Sequence, residues 1–291
     1  MVLEKAANSP AWKTAAILGA LLSQQLLAGG PWTQSQGQGY AQISFTFIPE
    51  YRSLYSRNGE SLSLNREVSD RTLLGYLEYG LTGRFTIIGE IPLKFVSAGE
   101  QVYPGSDFED ALLESGSLNG LGNLSAALKY GLVRKNLLLA GQLKIDAPTA
   151  TGKVETGLRT GVDAWGVAPS LILGGSRGQL YAFIESGVRF RSNDYSQEFL
   201  LGGEAGTALL KRFWIIAVLD VRQSLNDGTH DNENAEQTGL YPDNQEYAAF
   251  GLKLIAEISP RFGVNFSSFG ASSGNLVPKS PANTVGVYLR W

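Results

Sequence analysis

The sequence predicts an all-β fold: a transmembrane antiparallel up-and-down β-barrel of about 12 strands that follows an N-terminal signal peptide. Three observations lead to this fold class. Polar and apolar residues alternate with a period of two, the alternating segments are long, and short turns alternate with long polar loops. Strict alternation is typical of strands whose two faces meet different surroundings.

The alternation is clearest at the two ends of the predicted barrel. Residues 41–47 and 284–291 each place apolar side chains at every second position, with polar side chains or glycine between most of them. In a membrane barrel the apolar face contacts lipid and the polar face lines the lumen. In a soluble sandwich the apolar face would instead pack against a core.

Segment length favours the membrane barrel. Most of the predicted strands have ten residues or more, whereas strands of soluble proteins average about five or six residues and tilted membrane-spanning strands need about 9–11. The predicted strands are 39–55, 70–80, 84–96, 122–132, 137–147, 163–174, 179–190, 199–209, 213–224, 246–258, 261–268 and 284–291.

The connections sort by strand parity. Very short links follow the even-numbered strands, and longer polar links follow the odd-numbered strands. This asymmetry is typical of outer-membrane barrels, whose periplasmic turns are short and whose extracellular loops are long. The predicted short turns are 81–83, 133–136, 175–178, 210–212 and 259–260, and the predicted loops are 56–69, 97–121, 148–162, 191–198, 225–245 and 269–283.

The two termini indicate export to the cell outer membrane. Lys5 and Lys13 precede an apolar run, Thr14 to Ala28, in the order of a secretory signal. We expect residues 1–30 to be the signal peptide and residues 31–291 the barrel, with cleavage between 28 and 41, either just after Ala28, which we favour, or after Ala41. An N-terminal anchor helix is the alternative. The final Trp291 resembles the terminal aromatic signature that barrel-assembly machinery recognises, so we expect that machinery and membrane lipid as partners.

Composition excludes several classes of function. The chain has no cysteine, which excludes a disulfide framework and cysteine-based zinc sites, and its net charge of −3 gives no basic surface for nucleic acid. We expect no cofactor and no metal. His230, the sole histidine, lies near Asp227 and Asp231 in a polar loop. A serine–histidine–acid set of an outer-membrane lipid-acting enzyme is therefore one alternative, although a solvated loop is favoured.

The phase of each strand assigns ionisable residues to the lumen. Charges away from water need partners, and the set contains as many acids as bases. Two interpretations follow: a structural network of ion pairs, or a water-filled path. Apolar residues of the same phase, such as Tyr181 and Trp214, suit either a hydrophobic path or packing near the periplasmic rim. The predicted lumen residues are Glu50, Arg52, Glu78, Glu90, Lys94, Lys129, Lys144, Asp146, Glu185, Arg189, Glu204, Asp220, Arg222, Lys253, Glu257 and Arg290.

Four segments carry a resemblance to a known family. They are Gly120–Tyr130, Ala140–Thr149, Trp165–Leu171 and Gly187–Arg191. Their order resembles the outer-membrane barrels named for the MetA pathway of phenol degradation, with Asn123 where that family's pattern has Asp. The resemblance implies a transporter-like barrel for aromatic compounds, and it implies no catalytic residue.

These observations predict a non-enzymatic channel or transporter for small solutes, which the resemblance extends to hydrophobic or aromatic ones. The alternatives are a structural or partner-binding barrel whose lumen is filled by side chains, and an outer-membrane lipid-acting enzyme.

Overall fold

Twelve antiparallel strands form a closed barrel in the computed structural model, which describes residues 29–101, 113–135, 137–232 and 234–291. The predicted fold class is confirmed. Residues 1–28 of the predicted signal peptide lie outside the described residues, so that peptide stays a prediction. The strands are β1 Gly39–Tyr55, β2 Ser61–Gly80, β3 Phe85–Ala98, β4 Ser125–Arg134, β5 Leu138–Asp146, β6 Gly166–Arg177, β7 Leu180–Arg191, β8 Glu198–Leu210, β9 Phe213–Ser224, β10 Glu246–Glu257, β11 Phe262–Asn275 and β12 Ala282–Arg290.

The barrel closes between its first and last strands. Each strand pairs with its neighbour in sequence, and β1 pairs with both β2 and β12. Tyr40 lies opposite Glu78 on one side and opposite Arg290 on the other. Closure satisfies the backbone hydrogen bonds of β1 along both sides, which is the condition for a strand to lie in lipid.

The strands are joined at two unlike ends. The links 81–84, 135–137, 178–179, 211–212 and 258–261 lie at one end of the barrel, called here the short-turn end. The opposite end, called the long-loop end, carries the described residues of the links 99–124, 147–165, 192–197 and 225–245. The predicted sorting of turns by strand parity therefore holds for most connections.

Two predicted loops are wrong in extent. Residues 61–69 belong to β2 and residues 269–275 belong to β11, so both hairpins continue well beyond the predicted strands. Leu54 and Leu64, each with 0% exposed surface, explain the extension of the first hairpin. Burial of their apolar side chains stabilises the additional strand pairing. In the same way Gly116–Leu121, predicted as a flexible loop, forms a short strand beside β3.

Small elements complete the long-loop end. Two-residue strands Gly152–Lys153 and Leu158–Arg159 pair with each other, and Val277–Pro278 pairs with β1. Short 3₁₀ turns cover Val154–Thr156 and Ala235–Gln237. In the part of the chain that the structure describes, no helix is both long enough and apolar enough to span a bilayer.

The outer wall is apolar. Ile43, Ile91, Leu143, Leu171 and Leu252 are each exposed over roughly half of their surface, and they point away from the barrel interior. Such a continuous belt of exposed aliphatic side chains would be a liability in water, whereas in a bilayer lipid covers it.

Because of a β-bulge in β1, two of the predicted lumen residues lie on the outer face instead. The register of β1 against β2 shifts between Ile48 and Tyr51 and again between Tyr51 and Ser53. An extra residue reverses the phase of alternation, so Tyr51 turns inward and is only 3% exposed. Glu50 and Arg52 consequently lie on the outer face, where Arg52 forms an exposed ion pair with Glu67.

Adjacent residues of β5 test the assignment of the two faces. Leu143 is 46% exposed on the outer wall, whereas Gln142 faces inward and donates a hydrogen bond to Glu185. We predict that Leu143→Arg lowers the free energy of unfolding by about 2–4 kcal/mol near the bilayer midplane. Gln142→Arg should lower the free energy of unfolding by less, because the new guanidinium group can form an ion pair with Glu185. Denaturant unfolding in lipid vesicles measures both, and equal costs would contradict the assignment.

Candidate functional site

A cavity lined by charged, polar and apolar side chains occupies the middle of the barrel. Two adjoining spaces of about 350 and 230 Å³ share the lining residues Glu90, Ser125, Lys144, Arg189 and Arg222. We call these joined spaces the middle chamber. Strands β3 to β9 contribute these and further lining residues. Alternate residues of each strand share one face, so these side chains meet in the lumen.

Ion pairs run around the wall of the middle chamber. The Lys144 Nζ atom lies 2.7 Å from Glu90 and 4.0 Å from Asp146. Arg189 continues the network, with contacts of 3.3 Å to Asp146 and 3.0 Å to Glu198. Each charge is thus compensated by a charge on the same strand or on a strand one or two places away, as low-dielectric surroundings require.

Glu198 is the centre of the most heavily charged part of this network. Its carboxylate is 1% exposed and contacts Arg189, Arg191 at 3.3 Å and Arg222 at 3.9 Å. The guanidinium of Arg222 also stands 5.3 Å from the centre of the Tyr247 ring, within range of a cation–π interaction. Asp146 and Asp243 also pair with Arg189 and Arg191, so the three guanidinium groups share three carboxylates.

The chain before β1 fills the barrel at the short-turn end. Residues 29–38, called here the plug segment, enter the lumen instead of continuing along the wall. Trp32 is 6% exposed and makes edge-to-face contacts with Tyr181 and Phe183, at 6.0 and 6.1 Å between ring centres. Trp214 and Ile216 complete this apolar cluster. These lumen-side apolar residues therefore pack against the plug segment.

Polar contacts anchor the plug segment to β2, β3 and β4. The Gly29 amide and the Gln34 side chain donate to the two Glu78 oxygens at 3.0 and 2.7 Å, and the Gln34 amide donates to Thr86 at 2.8 Å. Lys129 donates to the Gly30 carbonyl at 3.2 Å. Glu78 and Lys129 lie 3.6 Å apart with no exposed side-chain surface, so the segment shields a buried ion pair.

Packed loops cover the long-loop end. Tyr195 is 1% exposed, accepts a hydrogen bond from Arg159 at 2.9 Å and stacks on His230. Burial raises the pKa of the Tyr195 phenol, although Arg159 opposes the shift. Asp243 pairs with Arg191 at 2.9 Å and accepts the Ser196 amide, also at 2.9 Å. We call these loops, residues 147–165, 192–197 and 225–245, the cap.

An apolar cluster joins the cap to the barrel wall. Tyr51, Leu54 and Leu64 of the first hairpin pack with Leu158 and Leu240 of the cap. The cap is therefore fixed by both apolar burial and buried ion pairs, and the middle chamber lies between the cap and the plug segment.

His230 lies in the cap. Its Nδ1 atom is 2.9 Å from the carbonyl oxygen of Asn193, and its ring stacks on Tyr195 at 3.8 Å. Among the described residues, no serine or carboxylate hydrogen-bonds to it, so the arrangement there is not a serine–histidine–acid set.

Apart from Glu50 and Arg52, the predicted lumen residues lie on the inner face, and each has a hydrogen-bond or ion-pair partner there. Their part in a solute path stays a prediction. Further pairs of this kind are Lys253–Glu204 at 2.5 Å and Arg290–Glu257 at 3.5 Å. The inner-face set is Glu78, Glu90, Lys94, Lys129, Lys144, Asp146, Glu185, Arg189, Glu204, Asp220, Arg222, Lys253, Glu257 and Arg290.

Several inward charges are missing from the predicted set, among them Asp70, Arg191, Glu198 and Asp243. Asp70, which pairs with Lys94 at 2.5 Å, shares the phase of Glu78, and Arg191 and Glu198 share the phases of Arg189 and Glu204. Asp70 lies within the predicted strand 70–80 and follows from the same phase, and one more step of the alternation beyond 179–190 and 199–209 reaches Arg191 and Glu198. Asp243 is in a loop, where no alternation points to it.

Comparison with known proteins supports the fold. No family model matches the chain, and no curated protein matches its sequence. The structure is similar to an outer membrane channel from Pseudomonas putida F1, with a TM-score of 0.65 and 16% identity over 91% of this chain and 100% of that chain. A looser likeness links it to the KdgM porin, with a TM-score of 0.47 and 8% identity over 86% and 99% of the two chains. At such low identity the first likeness shows the fold of an outer-membrane β-barrel, and the resemblance to the MetA-pathway family stays a prediction.

Neutralising Glu198 tests whether the inner network stabilises the barrel. Glu198→Gln keeps the side-chain shape but leaves three guanidinium groups without their shared acid, so we predict a loss of about 3–5 kcal/mol in the free energy of unfolding. Glu67→Gln is the matched control, and it should cost no more than about 1 kcal/mol because its ion pair with Arg52 is exposed. Urea unfolding in detergent measures both, and similar small losses would show that the network is dispensable.

Proposed function

We propose that the chain is an outer-membrane channel for small polar solutes, with its short turns in the periplasm and its long loops outside the cell. The observation that carries the proposal is the middle chamber, a space at mid-barrel that charged, polar and apolar side chains line together. A barrel with a purely structural interior would fill this space with packed side chains, as the narrowest barrels do. The described arrangement is then the closed state of the channel.

The chamber wall indicates the class of solute. It presents acids, bases, hydroxyl groups and an amide, among them Glu90, Arg189 and Gln142, with apolar side chains such as Ile88 and Leu200 between them. A hydrophobic solute would displace water from these groups without replacing their hydrogen bonds. Of the inward apolar side chains, Phe183 packs against the plug segment, while Ile88 and Ile172 line the chamber but are almost fully buried. Neutral or zwitterionic polar solutes therefore fit better than aromatic hydrocarbons.

The plug segment is the closure that can move. Among the described residues its covalent connection to the wall runs only through β1, and hydrogen bonds to Glu78, Thr86 and Lys129 hold the rest. A segment joined to the wall at one end opens at a lower free-energy cost than one joined at both ends. Gly29, Gly30 and Gly37 adopt positive φ angles, which few other residues tolerate. Each cap loop, by contrast, is anchored in the wall at both ends. We therefore infer that the path opens first at the periplasmic side.

A structural or partner-binding barrel is the second candidate. The packed cap favours it, because the cap presents an ordered surface and closes the lumen with buried side chains such as Tyr195 and Leu240. The two candidates differ in one observable property: a structural barrel passes no solute even when the plug segment is removed.

Removing the Trp32 ring tests the channel and its closure together. Trp32→Ala deletes the apolar anchor of the plug segment, and we predict at least a tenfold rise in open probability in planar bilayers, since about 1.4 kcal/mol suffices for that shift. Trp165→Ala is the matched control, because Trp165 is 56% exposed on the outside and should leave conductance unchanged.

Two outcomes would contradict the proposal. If deletion of residues 29–36 leaves no measurable current, and vesicles containing that variant do not swell in amino acids or small sugars, the chain is not a channel. If the unaltered chain is already fully open and Trp32→Ala changes nothing, the channel stands but the plug segment does not close it.

A further inference from the structure

The start of the plug segment lies deep in the barrel rather than at its rim. Gly29 and Gly30 contribute to the wall of the middle chamber. The Gly29 nitrogen points at the Glu78 carboxylate, 3.0 Å away, and Glu78 itself has no exposed surface. The Gly29 nitrogen therefore lies inside the lumen, and a chain extended from it would need space there.

The middle chamber has little room for such an extension. Its larger space of about 350 Å³ corresponds to roughly a dozen water molecules at about 30 Å³ each. The run from Thr14 to Ala28 is also largely apolar, whereas Glu90, Lys144 and Arg189 line the chamber. Placing that run there would strip water from these charges, which is unfavourable. The small volume of the chamber and its charged lining both favour a folded barrel that begins at Gly29.

Glu78 is well arranged to receive a chain terminus. Its carboxylate accepts hydrogen bonds from the Gly29 nitrogen, from Gln34 and from Tyr76 at 2.6 Å. The nearest side-chain cation, Lys129, stands 3.6 Å away and directs a hydrogen bond to the Gly30 carbonyl. An amide at Gly29 offers Glu78 one neutral donor, whereas a free α-ammonium offers a positive charge and stronger, charge-assisted bonds.

We propose that proteolytic processing during export cuts the Ala28–Gly29 bond and that the new α-ammonium of Gly29 forms a buried ion pair with Glu78. Water supplies the hydroxyl that completes the Ala28 carboxylate, and the Gly29 nitrogen gains hydrogen from the same water and a proton from solvent at neutral pH. The small Ala28 suits the position before the cut. A cut after Ala41 would instead remove the whole plug segment and Tyr40, which pairs with Arg290.

This ion pair gives processing a structural consequence. The terminus created by the protease becomes an additional anchor of the plug segment, beside the hydrogen bonds of Gln34 and the packing of Trp32. The inference concerns the fold of the mature chain and stands whether or not the barrel conducts solutes.

The first test is the identity of the mature N-terminus. The full chain is expressed in a Gram-negative host, and the barrel is purified from its outer membrane for N-terminal sequencing and intact mass measurement. We expect a chain that begins at Gly29. A chain that retains residues 1–28, or that begins at any other residue, would overturn the proposal.

The second test is the burial of the new amine. An N-hydroxysuccinimide ester should acylate the Gly29 amine at least tenfold more slowly in the folded barrel than in the heat-unfolded chain, with exposed Lys211 as the internal control that reacts alike in both. Equal rates at Gly29 would overturn the ion pair. Glu78→Gln should speed labelling in a barrel whose heat-modifiable gel migration shows that it is folded. If that variant does not fold, the comparison within the unaltered chain decides alone.

Discussion

Backbone N–H and C=O groups find no water inside a bilayer, so every strand that crosses it must have a neighbour on both sides. Here the pairing of β1 with β12 meets that demand. Closure fixes the remaining architecture, because a closed wall has one face toward lipid and one toward the lumen, and alternate residues are committed to each. The aliphatic belt and the inner ion pairs are two results of the same hydrogen-bond constraint.

Strand number then determines what the lumen must hold. About eight strands give an interior that side chains can fill, and a barrel of 12 strands leaves more space. This chain divides that space into three levels: the apolar cluster around Trp32, the charged wall of the middle chamber, and the cap held by Asp243 and Tyr195. The two outer levels are packed, while the middle one keeps room for water or solute. Function is therefore expected at mid-barrel.

The strands and most of the inward charges could be predicted from the sequence, because alternation with a period of two is recognisable within each strand alone. Glu90 and Lys144 could be placed inward without knowing their partners. Glu50 and Arg52 could not be placed correctly, because the bulge near Tyr51 arises from pairing with β2. The plug segment has no alternation at all. Its position depends on contacts between Trp32 and residues about 150 or more positions away, such as Tyr181 and Trp214, which no local pattern encodes.

Tethering the plug segment to the wall tests the closed-chamber account most directly. The chain has no cysteine, so Gln34→Cys with Thr86→Cys would introduce its only pair, at positions where the Gln34 amide and the Thr86 hydroxyl are 2.8 Å apart. The measurement is conductance of this double variant in planar bilayers before and after reduction. The account predicts a closed barrel while the disulfide is intact and opening events once a reductant breaks it. Equal conductance in the two states, with the crosslink verified by mass, would contradict it.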